Sequence, residues 1–319
     1  MTFSPLPMTK KTIKIGTRGS KLALWQAETV KSELEKAHPK LQFELKIIKT
    51  KGDKILDVAL SKIGDKGLFT KEIEQALYDN NIDLAVHSLK DLPTELPENL
   101  IVGGMLKRAE VRDVFISKDG RKLANFTAND KIATSSLRRQ AQLLHYNSEL
   151  QIVDIRGNVE TRLKKMNDGH CDALIMAGAG ILRLGYDEVI TEFLDTDVML
   201  PAVSQGAVAI EIREDDERIQ LLVDAITDEM TRSTTLAERS LLRELEGGCQ
   251  VPVGCYSEVN GDIIKLTGMV ASLDGKVRIC KSVESSLEEA SENAIELAQL
   301  ILGAGGKEIL DSIRPSPID

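Results

Sequence analysis

Two periodicities alternate along this chain. Short runs rich in apolar, β-branched residues give way to stretches whose apolar positions recur at helical spacing. TIKIGT (12–17), LALWQAETVKSELEKA (22–37), FELKIIKT (43–50), LFTKEIEQALYDN (68–80) and IDLAVHSL (82–89) follow one another in this way. Such alternation predicts an α/β domain with a largely parallel sheet, because parallel neighbours need a crossover that a helix supplies. The pattern begins again with KIATSS (131–136), LRRQAQLLHY (137–146), QIVDIRG (151–157), NVETRLKKMNDG (158–169) and ALIMAG (173–178). A second α/β unit of similar size is therefore expected, with a cleft between the two.

The last third changes character. RSTTLAERSLLRELEG (232–247) is helical in pattern and leads into the alternating run DIIKLTGMVASLDGKVRICKSVE (262–284), where Asp274-Gly275 signals a hairpin. An amphipathic stretch, SLEEASENAIELAQLILGAG (286–305), closes it. This predicts a small α+β domain. No internal repeat or low-complexity tract is evident.

Composition narrows the class. A chain of 319 residues that is 42% apolar can build two or three packed domains. The longest nearly apolar stretch, ALIMAGAGIL (173–182), is too short for a bilayer and is flanked by Asp172 and Arg183, so it reads as a buried element. The leading residues carry neither an apolar signal core nor a transit-peptide pattern, and a cytoplasmic protein is expected. Cysteines at 171, 249, 255 and 280 form no C-x-x-C pair, so free thiols are expected. The four histidines (38, 87, 145, 170) are scattered, and no metal is expected. A net charge of −9 and 3% aromatic residues argue against nucleic acid. Residues 131–165 nonetheless hold seven Lys or Arg against three Asp or Glu, a candidate anion site.

The candidate chemistry lies in turns that follow strands and open helices, where open α/β sheets bind ligands. In TSSLRRQ (134–140), Thr134, Ser135 or Ser136 can cap a helix whose free N–H groups favour an anion. Neighbouring helical residues point about 100° apart, so Arg138 and Arg139 are expected to grip two different carboxylates. DIRGN (154–158) repeats the device, with Asn158 as cap, Arg156 beside it and Arg162 one turn on. Singly, each arginine is equally well explained as a surface ion pair. Repeated forks at strand ends suggest a ligand with several acidic groups.

In the first unit, IGTRGS (15–20) puts Arg18 and Ser20 at the same kind of turn. SKIGDKG (61–67) presents Lys62 and Lys66 without Walker A spacing, and a solvated loop is its plainer reading beside a cationic flap. HSLKDLP (87–93) ends an apolar strand with Lys90 and Asp91; that carboxylate could face a cationic reacting group or simply form the turn. Cys249 follows Gly247-Gly248 and precedes Gln250-Val251-Pro252-Val253-Gly254, which presents the thiol on a loop, although isolated cysteines are more often small buried hydrophobes.

Taken together, TRGS (17–20), GDKGLFTKE (64–72), AVHSLKDLP (85–93), TSSLRRQ (134–140), RGNVETRL (156–163), LPAVSQGAVAIE (200–211) and LEGGCQVPVG (245–254) closely resemble the porphobilinogen deaminase (hydroxymethylbilane synthase) family. The resemblance runs in order across most of the chain. It implies two periplasmic-binding-protein-like α/β domains, the first discontinuous (1–106 and 201–226), the second 107–200. A third, α+β domain (227–319) would carry a cofactor-anchoring cysteine, and QGAVAIEIRED (205–215) would be the segment that returns to the first domain.

The implied reaction joins four porphobilinogen units head to tail with loss of ammonia, after which water releases hydroxymethylbilane. The implied cofactor is a dipyrromethane primer held by a thioether at Cys249. Asp91 matches the family's catalytic carboxylate, with Lys90 and Arg18 beside it. Ser20, Lys90, Asp91, Thr134, Ser135, Ser136, Arg138, Arg139, Arg156 and Gly157 match positions at the cofactor. Arg18, Arg156, Arg162, Arg183 and Gln205 match positions for the substrate's acetates and propionates, and Lys62 and Lys66 match a mobile loop. The partners expected are small molecules only, without nucleic acid or membrane, acting on a monomer. Ser204 departs from the pattern, standing where the family has glycine, which puts the local backbone path in doubt.

Two rivals stay open at the level of sequence. A non-enzymatic anion-binding protein of the same architecture would leave Cys249 unmodified. A thiol-dependent acyltransferase would need a base for Cys249, and no histidine is near it in sequence.

Overall fold

Each of the two strand–helix repeats closes into its own five-stranded sheet. The computed structural model describes residues 12–54, 67–245 and 251–313. Along the chain come β1 (Thr12–Thr17), α1 (Lys21–Ala37), β2 (Gln42–Ile47), α2 (Lys51–Lys54), α3 (Lys71–Tyr78), β3 (Leu84–Ser88), β4 (Leu100–Met105), β5 (Asp113–Ser117), β6 (Lys131–Ala133) and α4 (Leu137–Tyr146). They are followed by β7 (Gln151–Val153), α5 (Val159–Asn167), β8 (Ala173–Ala177), α6 (Gly178–Arg183), β9 (Glu192–Phe193), β10 (Val208–Arg213), α7 (Glu217–Asp224) and α8 (Glu229–Glu244). Last come β11 (Val253–Asn260), β12 (Ile263–Ala271), β13 (Arg278–Ser286), α9 (Ala290–Ile301) and α10 (Lys307–Ile313).

Backbone contacts divide the chain into two compact units. Residues described within 1–55, 65–108 and 207–232 form the first, and those within 109–206 and 233–319 form the second. The first unit's sheet runs β2-β1-β3-β10-β4, with β1 parallel to both β2 and β3. Against it packs α1, whose buried stripe of Ala23, Ala27, Val30 and Leu34 has the three-and-four spacing of one helix face and meets Ile13, Ile15, Val86 and Ile210.

The second unit repeats this layout as β7-β6-β8-β5-β9, with β6 parallel to β7 and β8. In both sheets the fourth strand runs against its neighbours: β10 is antiparallel to β3 and β4, and β5 to β8 and β9. The sheets are thus mixed rather than largely parallel. Periodicity could not show this, because β10 joins a sheet whose other strands lie more than a hundred residues earlier. A hydrophobic run records burial, not the direction of its neighbour.

A third, three-stranded antiparallel sheet, β11-β12-β13, belongs to the second unit and forms its smaller C-terminal domain. Gly275 turns the β12–β13 hairpin at φ 71°, as the Asp-Gly signal requires. Leu266 and Val270 of this sheet bury against Leu241 of α8 and Leu297 and Ile301 of α9. Val253 and Gly254, read from sequence as part of a loop, are instead the first residues of β11.

Candidate active site

Parallel strands bring their carboxyl ends to one edge, and the residues that follow them share that edge. In the first unit these are the turns after β1 and β3. Thr17 is fully buried and its Oγ1 donates to the Ala23 carbonyl at 3.1 Å, pinning the turn to the first residues of α1. Ser20 is the N-cap of α1, its Oγ accepting the Ala23 N–H at 3.3 Å. Between them Arg18 lays its guanidinium over the Phe69 ring, 4.2 Å from the centroid.

After β3 the chain makes one 3-10 turn, Leu89–Asp91, anchored by the buried Leu89, whose N–H donates to the Ala207 carbonyl at 3.1 Å. This turn lifts Asp91 into solvent; its carboxylate has no hydrogen bond or ion pair with the described residues. Lys90 beside it is half-buried. Ser88 is tied to Gln26 of α1, whose Nε2 donates to its Oγ at 2.9 Å. Beneath, His87 and Glu211 form a buried pair across β3 and β10 at 3.0 Å. Neighbouring Glu74 has its carboxyl raised by burial.

In the second unit the corresponding turns follow β6 and β7. Thr134 continues β6, its N–H donating to Val153 at 2.9 Å, and Thr134 Oγ1 accepts the Ser136 N–H at 3.2 Å. Ser135 bridges to the next turn, its Oγ donating to the Ile155 carbonyl at 2.7 Å and accepting the Ile155 N–H at 3.1 Å. Ser136 occupies the N-cap of α4, at the positive end of the helix, but its hydroxyl makes no capping bond there.

After β7, Asn158 caps α5, its Oδ1 accepting the Thr161 N–H at 2.9 Å. Gly157 before it takes φ 118°, which side-chain-bearing residues avoid, and its carbonyl accepts from Arg162 Nε at 2.8 Å. Arg156 in this turn has a buried Nη2 without a hydrogen-bond partner among the described residues. At the end of α6, Arg183 donates to the Gly206 carbonyl at 2.7 Å; burial lowers it to about 10, so it remains a cation at neutral pH.

Arg138 and Arg139 depart from expectation. Instead of reaching for two carboxylates they converge on one, that of Asp113 at the start of β5: Arg138 Nη2 lies 2.8 Å from Oδ2 and Arg139 Nη2 lies 2.7 Å from Oδ1. The angle between successive helical side chains is absorbed by length, because each guanidinium approaches a different oxygen of the same group. Gln205, fully buried, joins them with Nε2 at 3.0 Å from Oδ1. Burial alone would raise the Asp113 carboxyl, but the charges of Arg138 and then Arg139 outweigh it and hold the group well below the usual carboxylate range. The basic excess of 131–165 is therefore not a wholly solvated patch: two of its cations lie inside the second unit.

Ser204 resolves its own question. It sits at φ 61°, so the backbone follows a left-handed, glycine-like path although the side chain is serine, and its N–H donates to the buried Glu238 at 2.7 Å. Gly206 two residues on takes φ 88°; a Cβ there would lie 2.8 Å from the Ala109 carbonyl oxygen. Cys249, Lys62 and Lys66 lie outside the described residues. Of the chain that flanks Cys249, Leu245 is buried at the end of α8 and Cys255 in β11 donates its N–H to Pro201 at 3.0 Å. Cys171, Cys255 and Cys280 are free thiols, as expected.

Asp113 was missed by motif reading. Its signal was a carboxylate set directly against the apolar run Val114-Phe115-Ile116, a charge that such a strand can bury only with partners.

In each unit, hydroxyls, helix N-termini and arginines lie at the strand ends of a mixed α/β sheet, a setting whose chemistry suits anionic ligands. Two family models match the chain: "porphobilinogen deaminase, dipyromethane cofactor binding domain" over residues 13–221 and "porphobilinogen deaminase, C-terminal domain" over 233–303. Curated porphobilinogen deaminases of Desulforamulus reducens and Carboxydothermus hydrogenoformans are 51% and 50% identical, each over 96% of this chain and 99% and 98% of their own. That of Chlorobaculum tepidum is 50% identical over 96% of this chain and 99% of its own. Among solved structures, the VFT2 domain of Bordetella pertussis BvgS superposes with a TM-score of 0.42 at 12% identity, over 70% of this chain and 91% of that one. The chain belongs to the porphobilinogen deaminase family. It is a transferase of tetrapyrrole biosynthesis with a dipyrromethane-cofactor-binding domain, and no helix among its described residues is long and apolar enough to cross a membrane.

Proposed function

We propose that Cys249 anchors the dipyrromethane through a thioether, that Asp91 stabilises the positive charge of each ring coupling, and that the arginines at the strand ends hold the acetates and propionates. The reaction joins four porphobilinogen molecules head to tail. At each step the substrate's aminomethyl C–N bond breaks, ammonia leaves, a C–C bond forms and the attacked ring carbon loses its proton. Anchoring follows the same balance: the thiol loses its proton, a C–S bond forms and ammonia departs. The dipyrromethane supplies a nucleophilic pyrrole carbon when bound.

The observation that carries this reading is the state of Asp91. It is exposed after β3 with no partner among the described residues, so its carboxylate can accept pyrrole N–H groups and oppose positive charge developing on the rings. Arg156 fits a carboxylate ligand, because its buried Nη2 has no acceptor of its own. Ser136 offers a hydroxyl at the opening of α4, and Arg18, Lys90, Arg162 and Arg183 add charge at neighbouring strand ends. Lys62 and Lys66 are assigned to a loop over the ligand, and Ser20, Thr134, Ser135 and Gly157 to shaping the turns that receive it.

Intact mass spectrometry tests the anchor. A dipyrrole adduct present in wild type and absent in Cys249→Ser supports it, and an active polypeptide of unmodified mass overturns it. Asp91→Ala is expected to lower kcat about 100-fold or more in protein that still carries the adduct; a near-normal rate removes Asp91 from the chemistry. The same reading places the protein in the cytoplasm as a monomer, which sedimentation checks. It divides the chain at 1–106 with 201–226, 107–200 and 227–319, and limited proteolysis should cut near those limits.

A further inference from the structure

Asp113 has no role in the reaction as described, yet the second unit is organised around it. The residue is fully buried, and every partner of its carboxylate is a side-chain N–H: Arg138 Nη2 at 2.8 Å on Oδ2, and Arg139 Nη2 at 2.7 Å, Arg139 Nε at 3.2 Å and Gln205 Nε2 at 3.0 Å on Oδ1. Backbone carbonyls hold the far sides of both forks, Leu200 accepting from Arg138 Nη1 at 2.6 Å and Ile175 from Arg139 Nη1 at 3.0 Å. Gln205 is itself fixed by the Val111 carbonyl at 2.7 Å.

The charges do not cancel. Two guanidiniums, each more than nine-tenths buried, face a single carboxylate, and neither arginine has another ion pair among the described residues. The cluster therefore carries one net positive charge in a place where an uncompensated charge is costly. Each guanidinium has five N–H groups, and the five bonds named above leave half of the ten unspent. The cluster thus holds one anion and, among the described residues, keeps N–H donors and one positive charge unmatched. That anion sets the plane of both forks before any ligand arrives.

We propose that Asp113 is a positioning residue for the cofactor: with Gln205 as its third donor, it holds Arg138 and Arg139 in the orientation that receives one dipyrromethane carboxylate, whose charge completes the cluster. The inference rests on the reading of these arginines as cofactor-binding. Asn in place of Asp113 would keep the shape but leave two buried cations unopposed and free to turn. Glu would keep the charge but displace it by one methylene.

The test uses the full chain, made in cells that cannot produce porphobilinogen, then incubated with porphobilinogen while intact mass follows the adduct. Asp113→Asn is expected to load at least about 10-fold more slowly than wild type while still melting cooperatively, with Asp113→Glu in between. Asp113→Asn combined with Arg138→Gln restores the net charge of the cluster and is expected to melt closer to wild type than Asp113→Asn alone. If Asp113→Asn does not melt cooperatively, the loading rate of Asp113→Glu decides. Folded variants that load at the wild-type rate overturn the proposal and leave Asp113 as a structural pair. A wild-type protein that takes up no adduct at all overturns the cofactor reading beneath it, and the two failures are told apart by which protein shows them.

Discussion

Ser204 holds a backbone conformation that disfavours its own side chain. A left-handed φ costs an L-residue about 1 kcal/mol relative to glycine, and here the buried Oγ also lacks a hydrogen-bond partner among the described residues. Ser204→Gly is therefore expected to stabilise the protein by about 1 kcal/mol, read as a higher urea midpoint with unchanged slope; a lower midpoint would show that the serine hydroxyl contributes more than the strain costs. Asp113 makes a pH prediction. Its folded carboxyl is depressed, so the stability it contributes is present above the unfolded value of about 3.9 and is lost as pH falls toward the folded one. The deficit of Asp113→Asn against wild type should be constant near neutrality and shrink below about pH 4, as seen in melts taken across that range. A deficit independent of pH would mean that charge is not what the site uses.

At the scale of elements, the second unit builds one device twice, after β6 and β7: a strand ends, polar residues turn, and a helix begins; after β8 the chain passes from Ala177 straight into α6. The residues of α4 are those that the helical pattern marks, 137–146, because local spacing and propensity agree there. The strand before it ends at Ala133, short of the run 131–136, and the Thr134 and Ser135 hydroxyls bond to backbone groups of the turns that follow β6 and β7. Asn158→Ala removes the cap of α5 and is expected to cost about 1 kcal/mol, measurable by denaturant unfolding. Gly206→Ala should cost more, because its Cβ would meet the backbone carbonyl of Ala109, which cannot swing away as a side chain could. An unchanged midpoint for that variant would show that the turn can re-form without glycine.

For the whole molecule, two compact units make a single two-state melt an unsafe assumption. A group that contacts only the folded protein raises stability, and one tethered covalently does so through the contacts it makes in the native state. Cys249→Ser, which cannot retain the cofactor, should consequently melt several degrees below the loaded protein, at about 2–4 °C per kcal/mol for a chain of this size. Equal melting curves for loaded wild type and Cys249→Ser would mean that the bound group adds nothing to folding. The sequence by itself determined the alternation of strands and helices, the small C-terminal hairpin sheet and the ordered motifs that place the chain in its family, because each is written in residues close together along the chain. Tertiary structure decided what depends on distant partners: the antiparallel course of β5 and β10, the left-handed path through Ser204, and the burial of Arg138 and Arg139. Those arginines looked from sequence like two free hands for an acidic ligand. Only the folded unit brings Asp113 and Gln205 to them, since a buried charge acquires its partners through packing, and packing has no period for a sequence to display.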